Sequence, residues 1–339
     1  MRALVIPGPG EWRLEERPFP TLEEGNVLLR VRAVSLCGTD LSTFTGRNPL
    51  VSYPRVPGHE IAATVEEIRG AADGIRAGMD VAVSPYTNCG NCAACRRRRP
   101  NACRFNQTFG VQREGALTDY ICAPISRLVV AEGVSPRHLS IVEPLSVGAH
   151  AASRGRVTEQ DCVAVIGCGG VGMGAIAAAA FRGAKVVAID VEERKLQLAK
   201  RAGAAETIHT ASEPLHERLQ ELTEGHGPDV IIEAIGTPAT FRSAVEEVAF
   251  TGRVVYIGYA KEPVTYESRW FVQKELDILG SRNALPEDFA TVIEILRQGR
   301  FPAEEAISHV VSLEQAGETL RAWSENPGQF QKILVEVNA

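Results

Sequence analysis

No stretch of this 339-residue chain is long enough, apolar enough and free enough of glycine to read as a membrane span. The nearest approach, 162–181, carries no Asp, Glu, Lys or Arg but holds Gly167, Gly169, Gly170, Gly172 and Gly174, which suits a turn and a close-packed helix. The N-terminus also lacks the apolar core of a secretory signal, because Pro7-Gly8 cuts short Met1-Arg2-Ala3-Leu4-Val5-Ile6; a cytoplasmic location is expected. Positive charge is not in excess either. The 36 Lys and Arg against 42 Asp and Glu leave a net charge of -6, so neither nucleic acid nor an anionic membrane is an expected partner. The single basic run, Arg96-Arg97-Arg98-Arg99, reads as a solvated face, a subunit contact or an anion site and is assigned no role. Internal repeats and low-complexity tracts are absent. What remains is the profile of an enzyme acting on a small molecule.

The length suits two domains with ample core. Residues 27–36 alternate apolar positions and run into Cys37-Gly38-Thr39-Asp40, a strand ending at a turn. Further short strands are expected at 61–68 and 80–84, with no long helical period before about residue 140. From about residue 150 the texture changes. Apolar runs at 163–166, 186–189, 207–208, 230–232, 254–257 and 276–279 alternate with helical patterns at 192–202, 213–224 and 238–250, which predicts an α/β fold with a doubly wound parallel sheet. Helices at 286–298 and 313–324 and a strand at 332–337 exceed what that sheet needs and are expected to return to the first domain.

Gly167-Cys168-Gly169-Gly170-Val171-Gly172 follows a strand and opens a small-residue helix, and Asp190 ends the next strand. Glycines there let the backbone approach a pyrophosphate at the helix N-terminus, while the carboxylate accepts the ribose hydroxyls. Asp190 would repel a 2′-phosphate, which favours NAD over NADP; Arg194 and Lys195 nearby either offset that repulsion or are exposed helix charges.

Eight cysteines without a signal peptide point away from a disulfide framework. Cys89, Cys92, Cys95 and Cys103 have a spacing that can wrap four thiolates around one tetrahedral ion, a closed structural zinc site, with an iron–sulfur cluster as the lesser alternative. Cys37, His59-Glu60 and Glu143 are the remaining candidates for a reactive metal. Spacing does not join them; singly, each also suits a buried cysteine, a satisfied loop histidine or a surface carboxylate.

Taken in order, Cys37-Gly38-Thr39-Asp40, Gly58-His59-Glu60, the four-cysteine lobe, Glu143-Pro144-Leu145-Ser146 and the glycine fingerprint resemble the zinc-containing medium-chain alcohol dehydrogenases over essentially the whole chain. Within that family the chain looks most like the sorbitol and threonine dehydrogenase branch. Tyr53-Pro54-Arg55-Val56-Pro57-Gly58-His59-Glu60 and Gly280-Ser281-Arg282-Asn283-Ala284 resemble the L-gulonate or L-galactonate 5-dehydrogenases. The resemblance implies a β-rich GroES-like catalytic domain formed by 1–148 and 283–339, and a Rossmann coenzyme domain inserted at 149–282. It implies one structural and one catalytic zinc, with Cys37 and His59 as ligands of the latter and Glu60 and Glu143 as further ligands, one acting through water or by exchange. One thiolate and two bound carboxylates would leave zinc with a net charge of about -1 and weaken it as a Lewis acid, so a single glutamate is expected to bind tightly at a time. NAD is the implied cofactor, bound by Gly167, Gly169, Gly170, Val171, Gly172, Asp190 and Arg194. Homodimer or homotetramer follows by analogy.

The implied reaction is oxidation of a secondary alcohol, on the C5 hydroxyl of a sugar acid or, alternatively, on a polyol or L-threonine. A non-catalytic NAD-binding sensor is the reading from another class. Thr39 either accepts and orients the hydroxyl proton or caps the following helix. Close relatives usually carry His two residues after that Asp, where Ser42 stands here, so the proton exit is expected to run through water and the cofactor ribose. A substrate carboxylate beside an anionic metal set calls for an arginine: Arg282 first, then Arg113, then Arg47, each of which also suits an ordinary ion pair.

Overall fold

The computed structural model describes residues 1–338, which divide into two compact units. One comprises Met1–Glu143 and the residues from Ala303 onward; the other is Pro144–Pro302.

The first unit is built on a seven-stranded sheet. Its spine is Asn26–Leu36, whose inward positions alternate as the sequence pattern predicts and which pairs antiparallel with Glu60–Arg69 on one side and Ile333–Glu336 on the other. Ser35 stands opposite Glu60 and Ile333 opposite Leu36. That register places the ends of three sequence-distant segments beside Cys37, the residue that follows the spine.

The second unit carries six parallel strands in the order Glu206–His209, Lys185–Asp190, Cys162–Ile166, Val230–Glu233, Arg253–Tyr256, Asp277–Gly280. All six expected strands are present, within one or two residues at each end. Central strands such as Cys162–Ile166 are continuous apolar runs because helices cover both faces, and the order reverses between Cys162–Ile166 and Val230–Glu233, where such sheets open a ligand crevice. The start of the central strand Cys162–Ile166 is pinned by Asp161, which accepts hydrogen bonds from Thr158 N at 2.7 Å and Thr158 Oγ1 at 3.0 Å and pairs with Arg253. Burial pushes the Asp161 carboxyl up, but these donors outweigh it and hold its pKa below the ordinary value. A depressed folded pKa contributes stability above the unfolded value of about 3.9 and loses it as pH falls further. Asp161→Asn is therefore expected to cost about 1–3 kcal/mol at neutral pH. The deficit, read from denaturant midpoints, should close below pH 4; one that persists undiminished at pH 2.5 would point to packing instead.

The three elements that follow this sheet divide between the units. Ala316–Glu325 and Ile333–Glu336 belong to the first unit. Pro286–Arg297 does not: it packs on Gly170–Phe181 and buries Phe289, Val292, Ile293 and Ile295 within the second unit. Its Asp288 accepts from Leu285 N at 2.8 Å and lies 2.7 Å from buried His150 Nδ1. The second stretch of the first unit begins at Ala303 and not at 283, because the apolar face of that helix has its complement on the helix Gly170–Phe181. No helix among the described residues is long and apolar enough to cross a membrane.

Candidate metal centre and dinucleotide crevice

Cys37 precedes the helix Gly38–Phe44, and its N–H donates to Asp40 Oδ2 at 2.9 Å, so Asp40 closes the helix start and Thr39 does not cap it. The other oxygen, Asp40 Oδ1, accepts Gly58 N–H at 2.9 Å and lies 3.6 Å from His59 Nδ1. One buried carboxylate thus ties the Cys37 turn to the His59 loop. The sheet register supplies the third group: one ligand atom each from Cys37, His59 and Glu60 lie within 4.8 Å of one another. Thr39 Oγ1 is 3.8 Å from Cys37 Sγ, on the same side of the turn.

Glu60 is fully buried and shares both oxygens with Lys332 Nζ, at 2.9 and 2.8 Å, while the same ammonium donates to Leu36 O at 3.3 Å. Burial raises the Glu60 pKa, and the charges of Lys332 and His59 oppose it. Burial works against a charged His59 ring, yet the Asp40 and Cys37 side chains outweigh it and raise its pKa well above the ordinary value. Glu143, in the first turn of Val142–Arg154, stands outside the three-residue set and accepts a hydrogen bond from Tyr86 Oη. Burial pushes its carboxyl up to about 7, against the pull of His59.

The donor chemistry fits zinc. A thiol, an imidazole and a carboxylate are its usual borderline set, and His59 Nδ1 is a buried polar atom without a hydrogen bond. The four-cysteine lobe fits as well. The sulfur pairs Cys92–Cys95, Cys89–Cys103 and Cys92–Cys103 stand 3.5, 3.7 and 3.8 Å apart, near the edge of about 3.8 Å for a tetrahedron with zinc–sulfur bonds of about 2.3 Å, and all four are free thiols. Backbone N–H groups, that of Cys95 first, lower the Cys92 pKa to about 6, as a thiolate ligand requires.

In the second unit Gly167 adopts φ +98°, and a side chain at Gly172 would stand 1.8 Å from Gly167 O, so both positions require glycine. Asp190 is buried at the end of its strand. Its Oδ2 accepts Cys168 N–H at 2.8 Å and its Oδ1 accepts Val191 N–H at 2.8 Å and Glu192 N–H at 3.0 Å. Lys195 is taken up by Glu192 at 2.5 Å, whereas Arg194 is exposed and makes no ion pair among the described residues. Of the arginines considered for substrate, Arg47 is exposed and donates to Thr45 Oγ1, Arg113 is half-buried in the first unit, and Arg282 follows the edge strand of the second.

Residues 23–133 match the alcohol dehydrogenase GroES-like domain and residues 170–298 the zinc-binding dehydrogenase domain. L-galactonate-5-dehydrogenase of Escherichia coli K12 is 30% identical over 309 residues, covering 91% of each chain. The chain belongs to the zinc-type medium-chain alcohol dehydrogenase family. A sorbitol dehydrogenase of Bacillus subtilis 168 is likewise 30% identical over 348 residues, covering 100% of this chain and 98% of its own. The crystal structure of an alcohol dehydrogenase, rspB, from E. coli CFT073 complexed with NADH superposes with a TM-score of 0.90 at 28% identity, covering 99% of both chains.

Within this zinc-type dehydrogenase three residues at the centre had no role assigned from sequence. Asp40 lies inside the Cys37-Gly38-Thr39-Asp40 turn and Tyr86 three residues before the cysteine lobe, but neither position signals a partner. Lys332 is 272 residues from Glu60 and has no local signal at all.

Proposed function

We propose that this dehydrogenase oxidises a secondary alcohol of a polyhydroxy acid of the L-galactonate or L-gulonate type, at the C5 hydroxyl, with NAD. The observation that carries the alcohol chemistry is the set of Cys37, His59 and Glu60 gathered within 4.8 Å beside Thr39. The similarity to L-galactonate-5-dehydrogenase supports the substrate class. Cys37 and His59 would hold the catalytic zinc, with Glu60 or Glu143 as further ligand, and Cys89, Cys92, Cys95 and Cys103 the structural one. Bound zinc supplies Lewis acidity that lowers the pKa of an alcohol hydroxyl, as it does for water from about 15.7 to about 7, and NAD supplies the hydride acceptor.

The chain's own residues do the rest. Asp40 accepts Gly58 N–H and lies 3.6 Å from His59 Nδ1, so it positions the loop that brings the His59 ring beside Cys37 and Glu60. Lys332 balances the charge of Glu60 and Tyr86 donates a hydrogen bond to Glu143, so each acid has a partner in the chain itself and either would be available to a bound zinc. Thr39 receives the substrate hydroxyl proton and passes it to water, since Ser42 cannot act as a base near neutral pH. Gly167, Gly169, Gly170, Val171 and Gly172 cradle the pyrophosphate, and Asp190 accepts a ribose hydroxyl on the lone pair of Oδ2 that its three backbone donors leave free.

Asp190→Asn is expected to lower the preference for NAD over NADP about tenfold to a hundredfold, mainly through KM, because the charge that repels a 2′-phosphate is gone while the shape is kept. Unchanged discrimination would remove Asp190 from the cofactor site. The reading as a whole is tested by NADH formation on L-gulonate, L-galactonate, sorbitol and L-threonine. Turnover of the aldonates in preference to the neutral polyol sustains it. Turnover of sorbitol alone favours the polyol reading that the B. subtilis relative supports.

A further inference from the structure

Among the half-buried arginines of the first unit that pair with no acid are Arg113 and Arg127. Arg113 lies with its guanidinium carbon 3.8 Å from the centroid of the Phe109 ring and makes no hydrogen bond or ion pair among the described residues. The Arg127 side chain donates through Nη2 to the neutral Asn88 Oδ1. Glu114, the acid beside Arg113 in sequence, is committed elsewhere. Its Oε1 is 3.2 Å from Arg55 Nη1, and its Oε2 accepts Val56 N–H at 2.8 Å and lies 3.4 Å from Arg17 Nη1.

Residues 84–88 bring the two cations to one place. Ser84 N–H donates to Arg127 O at 2.8 Å, Asn88 receives the Arg127 side chain, and between them Pro85 O accepts the N–H of Phe109, the ring under Arg113, at 3.1 Å. The same stretch carries Tyr86, bonded to Glu143. Gly110, next to Phe109, packs so closely on the backbone before His59 that an added Cβ would stand 2.7 Å from Gly58 N. The arginine-bearing segments thus adjoin the residues that hold the metal set. Burial and the Arg127 charge lower the Arg113 pKa, and burial lowers that of Arg127, so the pair is held at a cost to the free protein that a bound anion would offset.

We propose that Arg113 and Arg127 together bind the terminal anionic group, a carboxylate or a phosphomonoester, of the polyhydroxy substrate. This rests on the dehydrogenase reading above and adds to it a second guanidinium that the sequence did not single out. Planar guanidinium forks match the oxygens of both groups, and a ring stacked under Arg113 leaves its N–H edge free to donate.

The test is equilibrium binding to the zinc-replete enzyme with NADH present, which accepts no hydride, using L-gulonate, sorbitol and sorbitol 6-phosphate, on wild type and on Arg113→Gln and Arg127→Gln. It is joined by mapping of phenylglyoxal modification on the wild type alone, which does not depend on how the variants fold. The expected result is a loss of L-gulonate affinity of about tenfold or more in each variant, a change under about threefold for sorbitol, and protection of both arginines by L-gulonate but not by sorbitol. If wild type binds sorbitol 6-phosphate and not L-gulonate, with the same loss in the variants, the site stands with a phosphomonoester and the sugar-acid reading falls. L-gulonate bound equally by wild type and variants, or without protection of Arg113 and Arg127, overturns the pair while the sugar-acid reading survives. If neither anion binds and sorbitol does, both are overturned and the polyol dehydrogenase remains.

Discussion

Cys37→Ser is expected to abolish zinc binding at the proposed catalytic set, to leave the proposed structural zinc in place, and to lower kcat/KM by about a thousandfold or more. Serine offers a hydroxyl that stays protonated where cysteine offers a thiolate, so the set loses its soft, anionic donor, while the His59 and Glu60 positions are still imposed by Asp40 and by the sheet register. The lobe of Cys89, Cys92, Cys95 and Cys103 is a separate loop structure with its own four sulfurs and is untouched. Metal analysis should therefore fall to about one ion per chain with the thermal midpoint nearly unchanged, because Cys37 is only partly buried and the change is almost isosteric. A variant that keeps its full zinc content and its activity would remove Cys37 from the metal set.

Lys332→Met is expected to cost about 3–5 kcal/mol near neutral pH, the penalty for leaving a buried carboxylate without its partner. Lys332 reaches both oxygens of a fully buried Glu60 and is itself almost wholly enclosed, so water cannot replace it. The pH dependence has a definite sign. Burial already raises the Glu60 pKa and Lys332 opposes that rise, so deleting the ammonium raises it further. A group whose folded pKa lies above its unfolded value contributes most below the unfolded value, about 4.3, and loses that contribution as pH rises. The deficit of the variant should therefore be largest at pH 7 to 8 and shrink toward pH 5, where Glu60 takes up a proton. Glu60→Gln combined with Lys332→Met should recover much of the loss, since no buried charge remains. Thermal midpoints across that range check it, and a deficit independent of pH would mean that the lysine stem and not its charge is what matters.

These two residues divide the site by how it is encoded. The glycine fingerprint, the four-cysteine lobe and the alternating strands are local: a tight turn, a tetrahedral wrap and a half-buried face each need particular residue types at short, fixed spacing. All six parallel strands could accordingly be placed from residue order, and the four-cysteine spacing is local in the same way, whereas in the sequence Cys37, His59, Glu60 and Glu143 are joined only by family resemblance, and the structure gathers the first three of them. Nothing local joins Cys37 to His59 and Glu60, or either of these to Lys332. They meet because the strand Asn26–Leu36 pairs with Glu60–Arg69 and Ile333–Glu336 in one register, and a shift of a single residue would turn Glu60 to the other face.

The same limit explains what residue order misplaced or passed over. The helix Pro286–Arg297 has an apolar face that either unit would accept in principle; only the surface of Gly170–Phe181 and the buried pair of His150 and Asp288 select the second. Arg127 carries no signal in the sequence, and becomes notable only because residues 84–88 bring it toward Arg113, whose sequence neighbour Glu114 is already engaged. Residue types and their short-range spacing thus settle which chemistry this chain can perform. Which side chains share a charge, a proton or a ligand is decided by long-range strand pairing and packing, because electrostatic and metal-binding energies depend on distances of a few ångströms that sequence separation does not constrain.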